Sequence, residues 1–82
     1  MRRLWVIRIQ TLDVVTNECK WILLKQTFRT RSGAMRHLER DGWELYNKNT
    51  WGFDATHESP DRRYIRYAYV ERIENGNLCT TP

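Results

Sequence analysis

The stretch Thr30-Arg-Ser-Gly-Ala-Met-Arg-His-Leu-Glu-Arg-Asp-Gly42-Trp-Glu-Leu-Tyr46 decides the fold, because it encodes a helix, its stop signal and the start of a strand in one short passage. Thr30 or Ser32 can cap the helix, since either hydroxyl can accept a hydrogen bond from an orphan amide of the first turn. Ala34, Met35 and Leu38 follow at the i, i+3 and i+4 spacing that builds one apolar stripe. Gly42 can take the left-handed conformation that closes a helix, and Trp43 just beyond it is placed to pack back on the last turn. The passage therefore predicts one helix of about three turns.

Before the helix, Arg3 to Thr11 alternates as a strand does, with Trp5, Ile7 and Ile9 on one face and Leu4, Val6, Arg8 and Gln10 on the other. Asp13 to Glu18 has turn character, and Cys19 to Phe28 supplies a second run with Trp21, Ile22, Leu23 and Leu24, so the two are expected to pair as an antiparallel hairpin. After the helix, Trp43 to Trp51 reads as a third strand. Gly52 to Asp61 reads as a polar, mobile loop, and Arg62 to Ile73 as the last strand, in which Ile65, Tyr67, Tyr69 and Ile73 alternate with Tyr64, Arg66, Ala68, Val70 and Arg72. The tail from Glu74 to Pro82 has little to bury and is expected to fray.

These elements give an α+β fold: a small antiparallel sheet of about four strands with one helix on one face, in the order ββαββ. The 82 residues make a single domain with its core over about 3–73. One helix covers one face of a sheet. Leu4 with Val6, the adjacent pair Ile22 and Leu23, and Tyr64 with Val70 put large apolar groups on both faces, so the uncovered face is expected to meet a partner, a second copy or a ligand.

The chain holds 14 Lys and Arg against 10 Asp and Glu, a formal net charge of +4, and only Lys20, Lys25 and Lys48 of the basic residues are lysine. That balance favours acidic partners, either nucleic acid or an acidic protein face, and arginine suits bidentate contact with phosphate or carboxylate. Cys19 and Cys79 lie far apart with no second cysteine or histidine at zinc-ligand spacing. They read as two free thiols, with a disulfide to the tail as the alternative in an oxidising compartment. The basic, apolar start is interrupted by Arg8 and Gln10, which argues against a signal peptide or a membrane span and for a cytoplasmic protein.

Leu38-Glu-Arg-Asp-Gly-Trp-Glu-Leu45 resembles the helix-end signature of a small family of bacterial and phage proteins, domain of unknown function 4177. The resemblance spans about Gly33 to Ile73, and its sharp element is Gly42-Trp43-Glu44-Leu45. It implies a small sheet-and-helix domain of the kind found in mobile elements, and it carries no catalytic residues with it.

The chain presents no catalytic signature. His37 within the helix and His57 beside Asp54 and Glu58 read as a surface residue and part of a solvated loop, because neither has the positioned partner a general base needs. Ser32 and Ser59 lack a nucleophile-elbow context, and Gly33, Gly42, Gly52 and Gly76 are too scattered for a phosphate loop. No cofactor or metal is expected. The candidate contacts are Arg36 and Arg40, four apart on one helical face, together with Arg8, Tyr64 and Arg66, read as projecting from one sheet face. Such a surface could stack bases and neutralise phosphates, yet tyrosine and arginine also dominate protein interface hot spots. The leading expectation is a non-enzymatic protein-binding module, a phage or mobile-element accessory protein that binds and inhibits a host complex in the manner of anti-CRISPR proteins. The alternatives are RNA or single-stranded DNA binding through the Arg and Tyr surface, and a homodimer that buries its open sheet face.

Overall fold

The structure, a computed structural model, describes residues 4–74 and 77–79. Strands β1 (Leu4–Asp13) and β2 (Cys19–Phe28) form an antiparallel hairpin. There follow helix α1 (Arg31–Arg40), a short strand β3 (Glu44–Leu45), a one-turn helix α2 (Lys48–Trp51), and strands β4 (Ala55–Glu58), β5 (Tyr64–Glu74) and β6 (Asn77–Cys79). The sheet order is β2-β1-β5-β4-β3, every pairing is antiparallel, and β6 also pairs with β5. The fold is α+β, as the sequence pattern implies, with more elements than ββαββ provides.

Local chemistry explains the two turns that frame the hairpin and the helix. Asp13 closes the β1–β2 turn by accepting from the amides of Val15 and Thr16 at 3.0 and 3.3 Å, and Asn17 takes a left-handed φ of 62°, which asparagine tolerates. At α1 the cap is Thr30, whose hydroxyl accepts from the Gly33 amide at 3.0 Å. The helix closes with the Trp43 amide donating to the Leu38 carbonyl and the Gly42 amide to Glu39, while Gly42 sits at φ 87°. That is the paired bonding of a Schellman motif, and it swings Trp43 into the core, where it is 7 % exposed.

The core lies between α1 and one face of the sheet: Ile7, Ile9, Ala34, Leu38, Trp43, Ala55, Ala68 and Val70, flanked by Trp5, Leu24, Phe28, Met35 and Leu45. Ala34, Ala55 and Ala68 are fully buried. Small side chains at three facing positions let the helix lie close to the sheet, with the buried Leu38 and Ile7 filling the space between them. Removing the Leu38 side chain from water contributes about 2 kcal/mol on its own.

Three sequence expectations are corrected. Trp43 to Trp51 is not one strand: pairing stops after Leu45, and Asn47 caps α2 by accepting from the Asn49 amide at 2.9 Å. Gly52, at φ 83°, then ends α2 in the left-handed conformation that a strand would not contain. Gly52 to Asp61 is not a mobile loop. It carries β4, paired on both sides, and the buried Asp54 and Ala55. Its polarity misleads because the Asp54 carboxylate serves as a backbone acceptor inside the sheet. In the tail, Asn77–Cys79 pairs with β5 as β6, whereas 75–76 and 80–82 lie outside the described residues.

Candidate functional site

Asp54 is the joint that holds the outer half of the sheet in place. Beyond Ala68 the β4 ladder ends, and the Asp54 side chain takes over by accepting from the Val70 amide at 2.7 Å. The same carboxylate bonds Arg31 at the start of α1 and lies 3.8 Å from Lys48 of α2. Lys48 also reaches Glu71 at 3.2 Å, and Glu71 lies 3.6 Å from Arg8. A fully buried carboxylate persists only with such partners. Helices α1 and α2 are thereby pinned to the sheet from opposite sides.

Pinning α2 places an aromatic row on the sheet face opposite α1. The register sets Arg8 against Tyr69 and Leu23, and Gln10 against Tyr67 and Trp21, so these side chains share one face. Ring contacts then run outward from Tyr67: Phe53 at 5.1 Å, Tyr46 at 5.3 Å from Phe53, and Trp51 at 6.0 Å from Tyr46. On the other side, the Arg8 guanidinium sits 4.5 Å from the Trp21 ring centre and 5.4 Å from that of Tyr69, and those two rings are 5.5 Å apart. The Tyr69 hydroxyl donates to Gln10 at 3.2 Å. Burial, then the nearby Tyr67 and Glu71, push the Tyr69 phenol above its ordinary pKa against the pull of Arg8. The row is half-buried in the middle and open at its ends, where Trp21 and Trp51 are 48 % and 59 % exposed.

The five sequence candidates do not converge. Arg8 stands on the aromatic face, held by Trp21, Tyr69 and Glu71, with its Nε buried and without a hydrogen-bond partner among the described residues. Tyr64 and Arg66 stand on the opposite, helix-side face, because β5 pairs Asp13 with Tyr64 and Thr11 with Arg66 while Arg8 meets Tyr69. Their expected grouping with Arg8 is therefore corrected. Alternation gives the parity of each strand, but only the register says which parities coincide. Arg66 donates to Nδ1 of His57 at 3.0 Å and lies 5.4 Å from the Trp43 ring centre. Because arginine only donates, the His57 proton is on Nε2 when the ring is neutral. His57 is thus a half-buried strand residue, not part of a solvated loop. Arg36 and Arg40 are exposed on α1 and form no ion pair among the described residues.

Trp21, Tyr46, Trp51, Phe53, Tyr67 and Tyr69 make up this row, and none of them is among the five candidate contacts. The signal was present in β5, where Tyr67 and Tyr69 alternate with Ala68 and Val70. Small residues on one parity mark the face a helix approaches, and large aromatic residues on the other mark a face that is covered differently.

Two clefts open among the described residues. One, of about 240 Å³, is lined by Thr11, Asp13, Glu18, Lys20 and Tyr64 at the hairpin end. Beside it, burial tends to raise the Asp13 pKa, but bonds from Arg63 and the Val15 and Thr16 amides outweigh that and hold it low. The other, of about 270 Å³, lies past the C-terminal end of α1 between Ile22, Leu24, His37, Asp41, His57 and Arg66. No group of three or more metal-ligating side chains comes together among the described residues, and no helix there is long and apolar enough to cross a membrane. Comparison with protein-family models, with curated proteins and with solved structures finds no match to this chain.

Proposed function

We propose that this chain is a non-enzymatic protein-binding module whose contact surface is the aromatic sheet face between Trp21 and Trp51. The observation that supports it most is that the two cations drawn in beside the aromatic row, Arg8 and Lys48, are already taken up by carboxylates. On the aromatic face Arg8 and Lys48 are drawn to Glu71, and Lys48 also to Asp54. The exposed Arg36 and Arg40 lie on α1, across the sheet. A single-strand binder needs stacking rings and phosphate-neutralising charges along one groove. A protein interface needs rigid aromatic anchors with charges satisfied nearby, and Trp and Tyr are the residues that carry such hot spots.

The same reading extends to a phage or mobile-element accessory protein that docks on a bacterial host complex and inhibits it, as anti-CRISPR proteins do. Small size and a docking face set apart from the folding core support that extension. The alternative, RNA or single-stranded DNA on an arginine surface, makes a different demand: oligonucleotide affinity that falls steeply with salt. Affinity capture from bacterial lysate tests the proposal. A defined protein retained after nuclease treatment, and lost with Trp51→Ala, is the expected result. Retention abolished by nuclease, together with salt-dependent polarisation of a labelled single strand, would establish the nucleic-acid reading instead.

A further inference from the structure

Strand β2 is an edge strand that pairs with β1 alone among the described residues. Eight of its ten residues are exposed, and Trp21, Ile22 and Leu23 project apolar groups on both faces at 48 %, 53 % and 50 % exposure. Edges of this kind recruit another strand unless something blunts them. The device present here is partial. The β1–β2 register jumps between Arg8↔Leu23 and Val6↔Thr27, so Leu24, Lys25 and Gln26 stand against Ile7 alone. That irregularity protects the second half of β2 and leaves Cys19 to Leu23 regular and open.

We infer that Cys19–Leu23 is a homodimerisation edge, at which β2 pairs antiparallel with β2 of a second copy about a two-fold axis through Trp21. The pleat restricts the choice of register. A two-fold axis normal to the sheet keeps each residue on its own face, so one residue must sit opposite itself. An axis at Lys20 sets two ammonium groups against each other at closest approach, which is destabilising. An axis at Ile22 drives Cys19 and Lys20 into the irregular segment of the other copy. An axis at Trp21 uses the whole regular stretch: Trp21 meets Trp21, Lys20 meets Ile22, and Cys19 meets Leu23 of the partner. Like charges never stand opposite one another, and an aromatic cross-strand pair forms at the centre. The two aromatic rows then join end to end through the Trp21 pair, across one continuous sheet.

This assignment stands apart from the partner reading, which is tested at Trp51 on the far side of the row. Sedimentation equilibrium should return a dimer for the wild type and a monomer for Trp21→Lys, with both retaining the same far-ultraviolet circular dichroism. Register is read through the exposed, free thiol of Cys19. In a Cys79→Ser background, Leu23→Cys should give a covalent dimer on mild oxidation, because the introduced thiol faces Cys19 of the other copy. Lys25→Cys, which would face Cys19 only with the axis at Ile22, should stay uncrosslinked. A wild type that sediments as a monomer at high micromolar concentration overturns the inference and leaves the edge to an extended segment of another protein. Crosslinking of Lys25→Cys in place of Leu23→Cys overturns the register.

Discussion

The sheet face beneath α1 and the face opposite it are built from alternate residues of the same strands, yet they are sealed by different means. Under the helix, three fully buried alanines admit Leu38, Ile7 and Trp43 into a closed core. Opposite, aromatic rings lie across the strands in mutual contact and stay partly open to water. Apolar area on the first face is already removed from water by folding, and its contribution is to stability. Area on the second remains partly in water, and it is the surface proposed to associate with another molecule. One strand can serve both purposes because its side chains alternate.

Substitutions that act on one face and spare the other sharpen this contrast. The largest expected effect is on the closed face: Leu38→Ala should cost about 3 to 5 kcal/mol in urea unfolding, the transfer free energy of the lost atoms plus the cavity they leave. A loss below about 1 kcal/mol would show that the space collapses and that the face is less tightly packed than its burial implies. Next is the joint between the faces. Asp54→Ala should cost about 2 to 4 kcal/mol, because it orphans the Val70 amide and removes the carboxylate shared by Arg31 and Lys48. Asp54→Asn should cost less, since an amide oxygen can still accept from Val70. Equal losses in the two variants would assign the whole effect to charge.

The joint also marks the boundary of what the sequence made legible. The β1–β2 hairpin, α1 with its glycine stop, the tuck of Trp43 and β5 all follow from local spacing and capping chemistry, which act over a few residues. β4 did not, because Asp54 looks like loop polarity until Arg31 and Val70, remote in sequence, and Lys48, brought round by α2, arrive as its partners. α2 was hidden for the opposite reason: Asn47 and Gly52 spell a short cap and stop, but Trp51 and Leu45 invite a strand reading. At the surface, the basic residues stand out in the sequence, whereas the proposed contact surface is built from rings. Arg8, Tyr64 and Arg66 seemed to share a face because parity within a strand is visible and register between strands is not.

Smaller effects are expected on the open face. Trp51→Ala removes a residue 59 % exposed and should change unfolding stability by no more than about 1 kcal/mol. Smallest is the hairpin end, where Asp13 and Asp61 titrate below their ordinary value of 3.8. For Asp61 the Ser59 hydroxyl and the Arg63 amide stabilise the charged form, and for Asp13 its bonds overcome burial. Both groups bind protons less readily folded than unfolded, so their contribution is present above that ordinary value and disappears as pH falls through the lowered one. Asp13→Asn should therefore lower stability slightly at neutral pH and leave it nearly unchanged once pH falls below the lowered pKa, which flattens the acid limb of the stability profile. A loss of the same size at pH 7 and pH 3 would point to the turn bonds to Val15 and Thr16 as the sole source of its effect.

The separation of a folding face from a binding face is tested most directly by one paired measurement on Trp51→Ala: protein retained from nuclease-treated bacterial lysate, alongside the urea midpoint of the purified variant. Loss of at least about nine-tenths of the retained protein, which is a tenfold weakening of binding, with an unchanged midpoint is the predicted result. Retention equal to that of the wild type, or no nuclease-resistant protein captured by either form, would contradict it.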